Sequence, residues 1–310
     1  MRVEEIDAKI ASDELLLEVF AVEESCSPSR PLDPQVALAQ YRHWAKGSRR
    51  RFVLRLGQAV VGTGILRVFD PAFATGEVFV RPEYRRRGYG RALFDAVVAA
   101  AREERLLSFF GHHHDGSGAG FAAAMGAVDN QRDIEAELVL ADANLPEPVV
   151  PDGWRLRSWI GAAPDELVES FAIARDSMND APSPVGGFSE ATTVDDIRAM
   201  EDAAEKRGRV IRVTVALDDH GVVGAFTDLR VNEGPTPVAF TDDTATIPSA
   251  RGLGLATAVK IESLRLLRND RPDVEVVTTT NAEENVGMRR VNTKVGFVPA
   301  VTYTTTVFTL

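Results

Sequence analysis

One short turn occurs twice in the chain, and this repeat constrains the fold more than any other feature. In each copy a strand, a proline, an arginine, a glycine-rich turn and a helix follow one another. The matching residues are all 166 positions apart, and the pairs are Pro82 and Pro248, Arg85 and Arg251, Gly88 and Gly254, and Gly90 and Ala256. A repeat of 20–50 residues indicates a solenoid, whereas so long an offset indicates a duplicated domain.

The rest of the chain agrees with a duplication. Its 310 residues are about twice the length of a typical domain. The stretch 143–153 is rich in proline and interrupts the regular pattern of the two halves. We therefore predict an N-terminal domain at 1–146 and a C-terminal domain at 147–310.

Hydrophobic periodicity predicts the same order of elements in both halves: a strand, two helices, a hairpin, the strand that enters the turn, and then helix, strand, helix and strand. The elements that matter most below are helices at 12–24, 33–46, 90–104 and 193–207, a bulged strand at 239–247, and final strands at 133–140 and 301–310.

The repeated turn has the chemistry of an anion site. Small residues let the backbone approach a ligand closely, and the following helix presents unpaired N–H groups and the positive end of its dipole. An arginine adds charge-assisted hydrogen bonds. A Walker A motif is absent, and the glycine spacing does not match a dinucleotide-binding fingerprint. Two such turns between strand and helix therefore predict two pyrophosphate sites.

These turns resemble the signature of the GNAT superfamily of acyl-CoA-dependent N-acyltransferases, which is Gln/Arg-x-x-Gly-x-Gly/Ala after a strand that ends in Val-x-Pro. The first half has Val80-Arg81-Pro82, and Ile247-Pro248 is a looser version. A second family signature is matched in the second half by Asn285, Met288, Asn292 and Gly296-Phe297. The first half keeps only Gly126-Ala127 of it, with Asp115, Gly118 and Ala122 at the other places.

The resemblance implies an α/β (α+β) fold of two tandem GNAT domains, each with a mixed central sheet and helices on both faces. It also implies acetyl-CoA as cosubstrate, bound where two neighbouring strands splay apart. The residues expected to contact it are Val78, Phe79, Val80, Arg85, Arg86, Arg87, Gly88, Tyr89, Gly90, Arg91, Thr246, Ile247, Arg251, Gly252, Leu253, Gly254, Leu255, Ala256, Asn281 and Asn285. Helix capping is an alternative role for Asn281.

The implied reaction is direct attack of a small-molecule amine on the thioester through a tetrahedral intermediate, with transfer of an acetyl group. The family's usual general-acid tyrosine is replaced by Asn292 in the second half and by Ala122 in the first. Asparagine can hydrogen-bond the sulfur but cannot donate a proton as a tyrosine does. Tyr303 is a weaker substitute, because a strand aromatic more often packs on its sheet.

A base is needed because an alkylamine has a pKa of about 10. Asp242 and Asp243 lie just before the strand segment Thr246–Ile247 that leads into the second turn, and Glu77 has the equivalent place in the first half; we select Asp243 and Glu77. Solvated strand ends are the alternative. Two further acids, Asp176 and Asp180, would lie where the family admits its substrate, although an ordinary polar loop is favoured for them.

Other reactive residues give weaker signals. His112, His113 and His114 follow a predicted strand, but no second ligand cluster accompanies them, so we predict no metal site. One of these histidines at the strand end could act as a base, but a solvated loop is the preferred interpretation of this stretch. Cys26 is the one cysteine and has no activating context.

Net charge and hydropathy indicate which classes of binding partner and which location to expect. The net charge of −11 argues against nucleic acid or an anionic membrane surface as the main partner. No apolar run could span a membrane and no secretory signal is evident, so we expect a cytoplasmic protein. The second half holds 17 basic and 25 acidic residues, which would suit a cationic amine.

The second half keeps more of the second signature and has an acidic insertion at 179–205, so we expect catalysis there. Because the tyrosine is missing, an alternative remains: a catalytically silent acyl-CoA-binding sensor or scaffold. The acceptor, the acyl chain length and the oligomeric state are left open.

Overall fold

A computed structural model describes residues 2–26, 33–42, 48–70, 73–114, 116–182 and 191–310. Contacts group the chain into two compact units. The N-terminal unit comprises Met1–Gln131 with Tyr303–Leu310, and the C-terminal unit comprises Arg132–Thr302. None of the helices in these described ranges is long and apolar enough to cross a bilayer.

The elements alternate between strands and helices throughout the chain. In the first half they are β1 (Arg2–Ile6), α1 (Asp13–Glu24), α2 (Pro34–Arg42), β2 (Ser48–Leu56), β3 (Ala59–Asp70), β4 (Phe73–Val80), α3 (Tyr89–Glu103), β5 (Ser108–His113), α4 (Ser117–Ala124) and β6 (Val128–Val139). In the second half they are β7 (Trp154–Ile160), α5 (Asp165–Arg175), α6 (Val194–Lys206), β8 (Arg209–Asp218), β9 (Val223–Asn232), β10 (Val238–Thr246), α7 (Leu255–Asp270), β11 (Val276–Ala282), α8 (Val286–Val295) and β12 (Val298–Thr309).

The predicted elements are present, with small differences at their ends. Ser12 caps α1 by accepting a hydrogen bond from the Leu15 N–H at 3.3 Å. Thr193 caps α6 in a reciprocal capping box with Asp196. The helix predicted at 33–46 ends at Arg42 among the described residues, and its last four positions lie outside them, as do Asp115 and positions 183–190 of the acidic insertion.

The sheet of the N-terminal unit has the strand order β1-β2-β3-β4-β5-β12 and is antiparallel except between β4 and β5. Alternation along its strands sends side chains to both faces. Val53 and Val60 pack with α1 and α2, whereas Leu54 and Val61 pack with α3. Helices therefore cover both faces, as the resemblance implied.

The sheet of the C-terminal unit has the order β6-β11-β10-β9-β8-β7, and β10 and β11 form its parallel pair. On one face Phe171 of α5 packs edge-on against Phe226 of β9. On the other face Val259 of α7 packs with Ala225 of β9. This unit is therefore also a mixed sheet between two helical layers.

The last strand of each unit comes from the other half of the sequence. In the C-terminal unit β6 pairs with β11 from Asp133 to Val139, and in the N-terminal unit β12 pairs with β5 from Thr304 to Thr309. The sequence limits of 1–146 and 147–310 describe the repeat along the chain and stay a prediction. A strand pattern predicts a strand but not which neighbour it pairs with.

Candidate active site

Two parallel strands separate from one another in each unit. In the C-terminal unit the ladder between β10 and β11 runs from Val238–Val276 to Thr241–Thr279, and β10 then continues beside β9 alone to Thr246. We call the opening between residues 242–246 and 280–282 the C-cleft. In the N-terminal unit β4 and β5 share one ladder pair, Thr75 with Phe110, and the N-cleft lies between residues 76–80 and 111–113.

The repeated turn follows the cleft strand in both units and has the same geometry twice. Gly88 and Gly254 are the N-caps of α3 and α7, with φ angles of 82° and 81°. Neither helix start receives a side-chain cap. A Cβ at either glycine would meet nothing within 4 Å, so a ligand could approach this backbone closely. The N–H groups of each first turn are thus available to an anion.

The leading arginines are fixed by the same contact. The Nε atom of Arg85 donates to the Val80 carbonyl at 3.0 Å, and that of Arg251 donates to the Thr246 carbonyl at 3.2 Å. In the C-terminal unit the guanidinium of Arg251 also pairs with the Asp180 carboxylate. Asp180, one of the two acids predicted to lie where substrate enters, therefore contacts the turn itself. The other, Asp176, accepts a hydrogen bond from the Thr192 N–H at 2.7 Å.

The other residues expected to contact acetyl-CoA fall on these elements. Val78, Phe79 and Val80 lie on β4 at the N-cleft, and Thr246 ends β10 at the C-cleft. Asn281 lies on β11 and does not cap a helix. Asn285 caps α8 through the Met288 N–H at 3.1 Å. The turn residues Arg86, Arg87, Tyr89, Gly90, Arg91, Ile247, Gly252, Leu253, Leu255 and Ala256 lie between each cleft strand and the first turn of its helix. Their contact with the cosubstrate stays a prediction.

Three carboxylates meet at the bulge of β10. The ladder with β9 shifts between Thr241 and Thr244, so Asp242 and Asp243 lie in the bulge. Oxygen atoms of these two residues and of Asp228 on β9 all lie within 4.8 Å of one another. The backbone N–H of Asp243 donates to Asp228 at 2.6 Å.

Two arginines form ion pairs with the three carboxylates of this cluster. Arg175, at the end of α5, bonds Asp228 at 3.1 Å and also pairs with Asp243. Arg230 of β9 pairs with Asp242. Such spacing of oxygen atoms could hold a cation, but the guanidinium groups already occupy the carboxylates.

The carboxyl groups of the bulge hold protons unusually well. Burial, together with the charges of Asp228 and Asp243, raises the pKa of Asp242 to about 7. Burial and the charge of Asp228 also raise the pKa of Asp243. A carboxylate that titrates near neutral pH is suited to accept a proton from an attacking amine.

Glu77, the predicted base of the N-cleft, has the opposite electrostatics. Burial would raise the pKa of its carboxyl group, but Arg67 lies at 2.8 Å and its charge and hydrogen bond lower the pKa instead. Glu77 is therefore held as an ion-paired carboxylate, which makes it a weak base.

Tyr303 belongs to the N-terminal unit, where its ring centroid lies 4.4 Å from that of His114. His112 and His113 lie on β5 rather than in a loop. The Nδ1 atom of His112 is 3.1 Å from the Thr305 hydroxyl, and the Nε2 atom of His113 is 3.5 Å from the Asp129 carboxylate. These histidines are thus engaged within their own unit.

Asn292, at the place of the missing tyrosine, is buried in a hydrogen-bond network that the sequence analysis missed. Lys260 of α7 donates to its Oδ1 atom at 2.7 Å, and its Nδ2 atom donates to Asn281 at 2.5 Å. A signal for Lys260 exists in the sequence, because it shares a helical stripe with Leu264 and Leu267, which are buried. A lysine on the apolar stripe of a helix is unusual enough to indicate a special role.

Comparisons with known proteins agree with this architecture. The sequence profile of the acetyltransferase (GNAT) family matches residues 16–126. The mycothiol acetyltransferase of Thermomonospora curvata is 32% identical over 64% of this chain and 63% of its own length, and that of Amycolatopsis mediterranei is 30% identical over 77% of each chain. A solved structure of a tandem GNAT protein from the clavulanic acid biosynthesis pathway is 25% identical, with a TM-score of 0.85 over 99% of this chain and 98% of that one.

Proposed function

Because the chain belongs to the acetyltransferase (GNAT) family, we propose that it transfers an acetyl group from acetyl-CoA to the amine of a small molecule, and that the reaction takes place in the C-cleft. The observation that carries this location is Asp242, a carboxyl group with a pKa of about 7 at the bulge of the cleft strand. In the N-cleft, by contrast, Arg67 lowers the pKa of the Glu77 carboxyl group.

The cosubstrate would lie along the end of β10. Past Thr241 this strand has no ladder partner on its β11 side among the described residues, so its backbone could bond the pantetheine arm at Thr246. The Ile247 N–H already donates to the Gly224 carbonyl at 2.9 Å, so Ile247 would contact the arm through its side chain. The pyrophosphate would accept hydrogen bonds from the N–H groups at the start of α7 and from Arg251. Arg251 would then exchange the Asp180 carboxylate for phosphate oxygens.

The chemistry needs one proton acceptor and one site for the leaving sulfur. The amine nitrogen forms a bond to the thioester carbon, a tetrahedral intermediate forms, and the carbon–sulfur bond then breaks. We propose that the proton lost by the amine goes to the coupled carboxylates of Asp242 and Asp243, directly or through a water molecule. Asp242 is the stronger candidate, because its pKa is raised to about 7 despite its pair with Arg230, whereas Arg175 holds both Asp243 and Asp228. The CoA thiolate leaves near Asn281, which lies across the cleft on β11.

The acceptor is proposed as a small amine. The acidic residues of the second half and of the bulge favour a cationic one. The name of the curated relatives suggests mycothiol lacking its acetyl group as one compound to test. The sequence limits of 1–146 and 147–310 are retained as the limits of the two GNAT copies.

The test uses the purified chain with acetyl-CoA and a panel of amino sugars, amino acids, polyamines and deacetylated mycothiol, with mass spectrometry of the products. The duplication supplies matched variants, Arg251→Glu and Arg85→Glu, at corresponding positions of the two turns. We expect one class of amine to gain an acetyl group, and we expect the first variant to lose this activity while the second retains most of it.

Two results would contradict the proposal. If no amine is acetylated while acetyl-CoA still raises the melting temperature, the protein is a sensor or scaffold. If Arg85→Glu abolishes transfer and Arg251→Glu does not, the reaction belongs to the N-cleft.

A further inference from the structure

Three polar side chains form a continuous chain of hydrogen bonds in the C-terminal unit. It begins at the Nζ atom of Lys260 on α7, passes through the Asn292 amide on α8 and ends at the Oδ1 atom of Asn281 on β11. Lys260 and Asn292 are 3% and 4% exposed. The network therefore connects the interior of the unit to a strand that borders the C-cleft.

The lysine determines the direction of this chain. An ammonium group has only donors, so the Asn292 atom that faces it must be the oxygen. The Asn292 Nδ2 group then faces Asn281 and donates a hydrogen bond, which the Oδ1 atom of Asn281 accepts. The remaining polar group of Asn281 is its Nδ2, which is a donor. A protonated Lys260 thus fixes the orientation of the Asn281 amide, so that its Nδ2 group is the one available to donate a hydrogen bond in the C-cleft.

None of the residues that the structure describes supplies a counter-charge to Lys260. Its Nζ atom lies 5.1 Å from the centre of the Phe297 ring. Burial is the sole cause that lowers its pKa, to about 7. The charged residues on the elements packed against α7 have no part in this shift: they are Arg155, Arg157, Arg209, Arg212, Asp218, Asp228, Arg230, Asp242, Asp243, Arg289, Arg290 and Lys294. Burial of a lysine without a carboxylate partner costs free energy of folding, so we look for a function that compensates this cost.

We propose that Lys260 is a positioning residue for acetyl transfer: through Asn292 it orients Asn281 so that an N–H group is presented to the CoA sulfur as the thiolate leaves. This inference rests on the proposed function and deepens it. Asn281 lies past Thr279, the last residue of β11 in the parallel ladder, and thus on the part of the strand that borders the C-cleft.

The chemical consequence is stabilisation of the leaving group without a tyrosine. When the carbon–sulfur bond breaks, the electron pair stays on sulfur, and the thiolate accepts a hydrogen bond from the Asn281 amide. No proton is transferred through the asparagines, so the thiolate is finally protonated by water. Loss of the ammonium on Lys260 at higher pH removes the constraint on direction, because a neutral amine can also accept a hydrogen bond.

The first test measures the thiol of bound CoA, which requires no acceptor amine. The ultraviolet absorbance of the thiolate is titrated with the protein in excess. Lys260 is largely neutral at the pH where the thiol ionises, and its amine can still donate to Asn292 but no longer must do so; we therefore expect the pKa of the bound thiol to lie below that of free CoA by less than one unit. The variant Lys260→Met should lose this shift, and Lys294→Met, which changes an exposed lysine on α8, should keep it.

The second test measures turnover with the amine found in the acceptor screen. We expect Lys260→Met to lower kcat about tenfold and to change the KM for acetyl-CoA less than twofold. Lys260→Gln, which can donate to Asn292 but does not titrate, should recover part of kcat and remove the fall in kcat above neutral pH. A purely structural lysine would not produce this pH profile.

The outcomes separate the two proposals. A Lys260→Met protein with the wild-type thiol pKa, kcat and pH profile would overturn the role of Lys260 while leaving the acetyltransferase assignment intact. A wild-type protein that binds no CoA would overturn both. If the methionine variant does not fold, the glutamine variant carries the same pH test.

Discussion

Replacement of Lys260 by methionine is expected to stabilise the C-terminal unit at low pH, and the size of the effect follows from burial. The lysine pKa falls from its ordinary 10.5 to about 7 in the folded protein. Between these values the unfolded chain binds more protons than the folded one, so wild-type stability rises with pH. Methionine fills a similar volume and carries no charge.

The magnitude can be worked out from linkage. Each pKa unit corresponds to about 1.4 kcal/mol, so the penalty for folding with Lys260 is about 4 kcal/mol at pH 7. The variant also loses the hydrogen bond to Asn292, which destabilises it by about 1–3 kcal/mol and offsets part of this gain. The variant should therefore be more stable than wild type by about 1–3 kcal/mol at pH 7, and this advantage should shrink by about 3 kcal/mol between pH 6 and pH 9.

Urea unfolding followed by tryptophan fluorescence measures this change, because Trp154 and Trp159 lie in the same unit as Lys260. Lys294→Met is the matched control and should differ from wild type by no more than about 0.5 kcal/mol at either pH. A stability difference between Lys260→Met and wild type that is the same at pH 6 and pH 9 would refute the reasoning. Such a result would mean that the folded protein solvates the ammonium.

Three further predictions concern the site and its scaffold. Asp242→Asn should lower kcat by about 10²–10⁴-fold and remove the acidic limb of a bell-shaped pH–rate profile, whereas the exposed Asp202→Asn should do neither. A retained acidic limb would exclude Asp242 as the base. Arg251→Ala should reduce turnover more than Arg85→Ala, and the reverse order in steady-state assays would move catalysis to the N-terminal unit. Thr193→Ala should destabilise the C-terminal unit by about 1 kcal/mol in urea unfolding through loss of the α6 cap, and an unchanged midpoint would show that the cap contributes nothing.

Lys260 is expected to lower the stability of the folded protein and to raise its turnover. The same substitution is expected to raise stability and to lower turnover. Buried charges of this kind persist where the function uses them, since a hydrophobic residue of similar size would stabilise the fold. The measurements of unfolding and of turnover therefore test one physical idea in two independent ways.

Much of the fold could be predicted because its signals are local. Gly88 and Gly254 need a left-handed backbone at the start of a helix, and their spacing from Arg85 and Arg251 is visible in the chain. Likewise, the caps of α1 and α6 depend on residues within three positions of each other. Local chemistry of this kind was enough to predict two copies of one mixed α/β fold, and in each a turn suited to a pyrophosphate.

The tertiary structure decided what the sequence could not, namely which distant groups meet. Asp228 of β9 meets Asp243 at the bulge of β10, and this contact, with burial, raises the pKa of the Asp243 carboxyl group. Lys260 meets Asn292, 32 positions away, because α7 packs against α8. Burial and hydrogen-bond partners arise from three-dimensional packing. They raise the pKa of Asp242 and lower that of Glu77, although each carboxylate pairs with an arginine, and they connect Lys260 to Asn281 through Asn292.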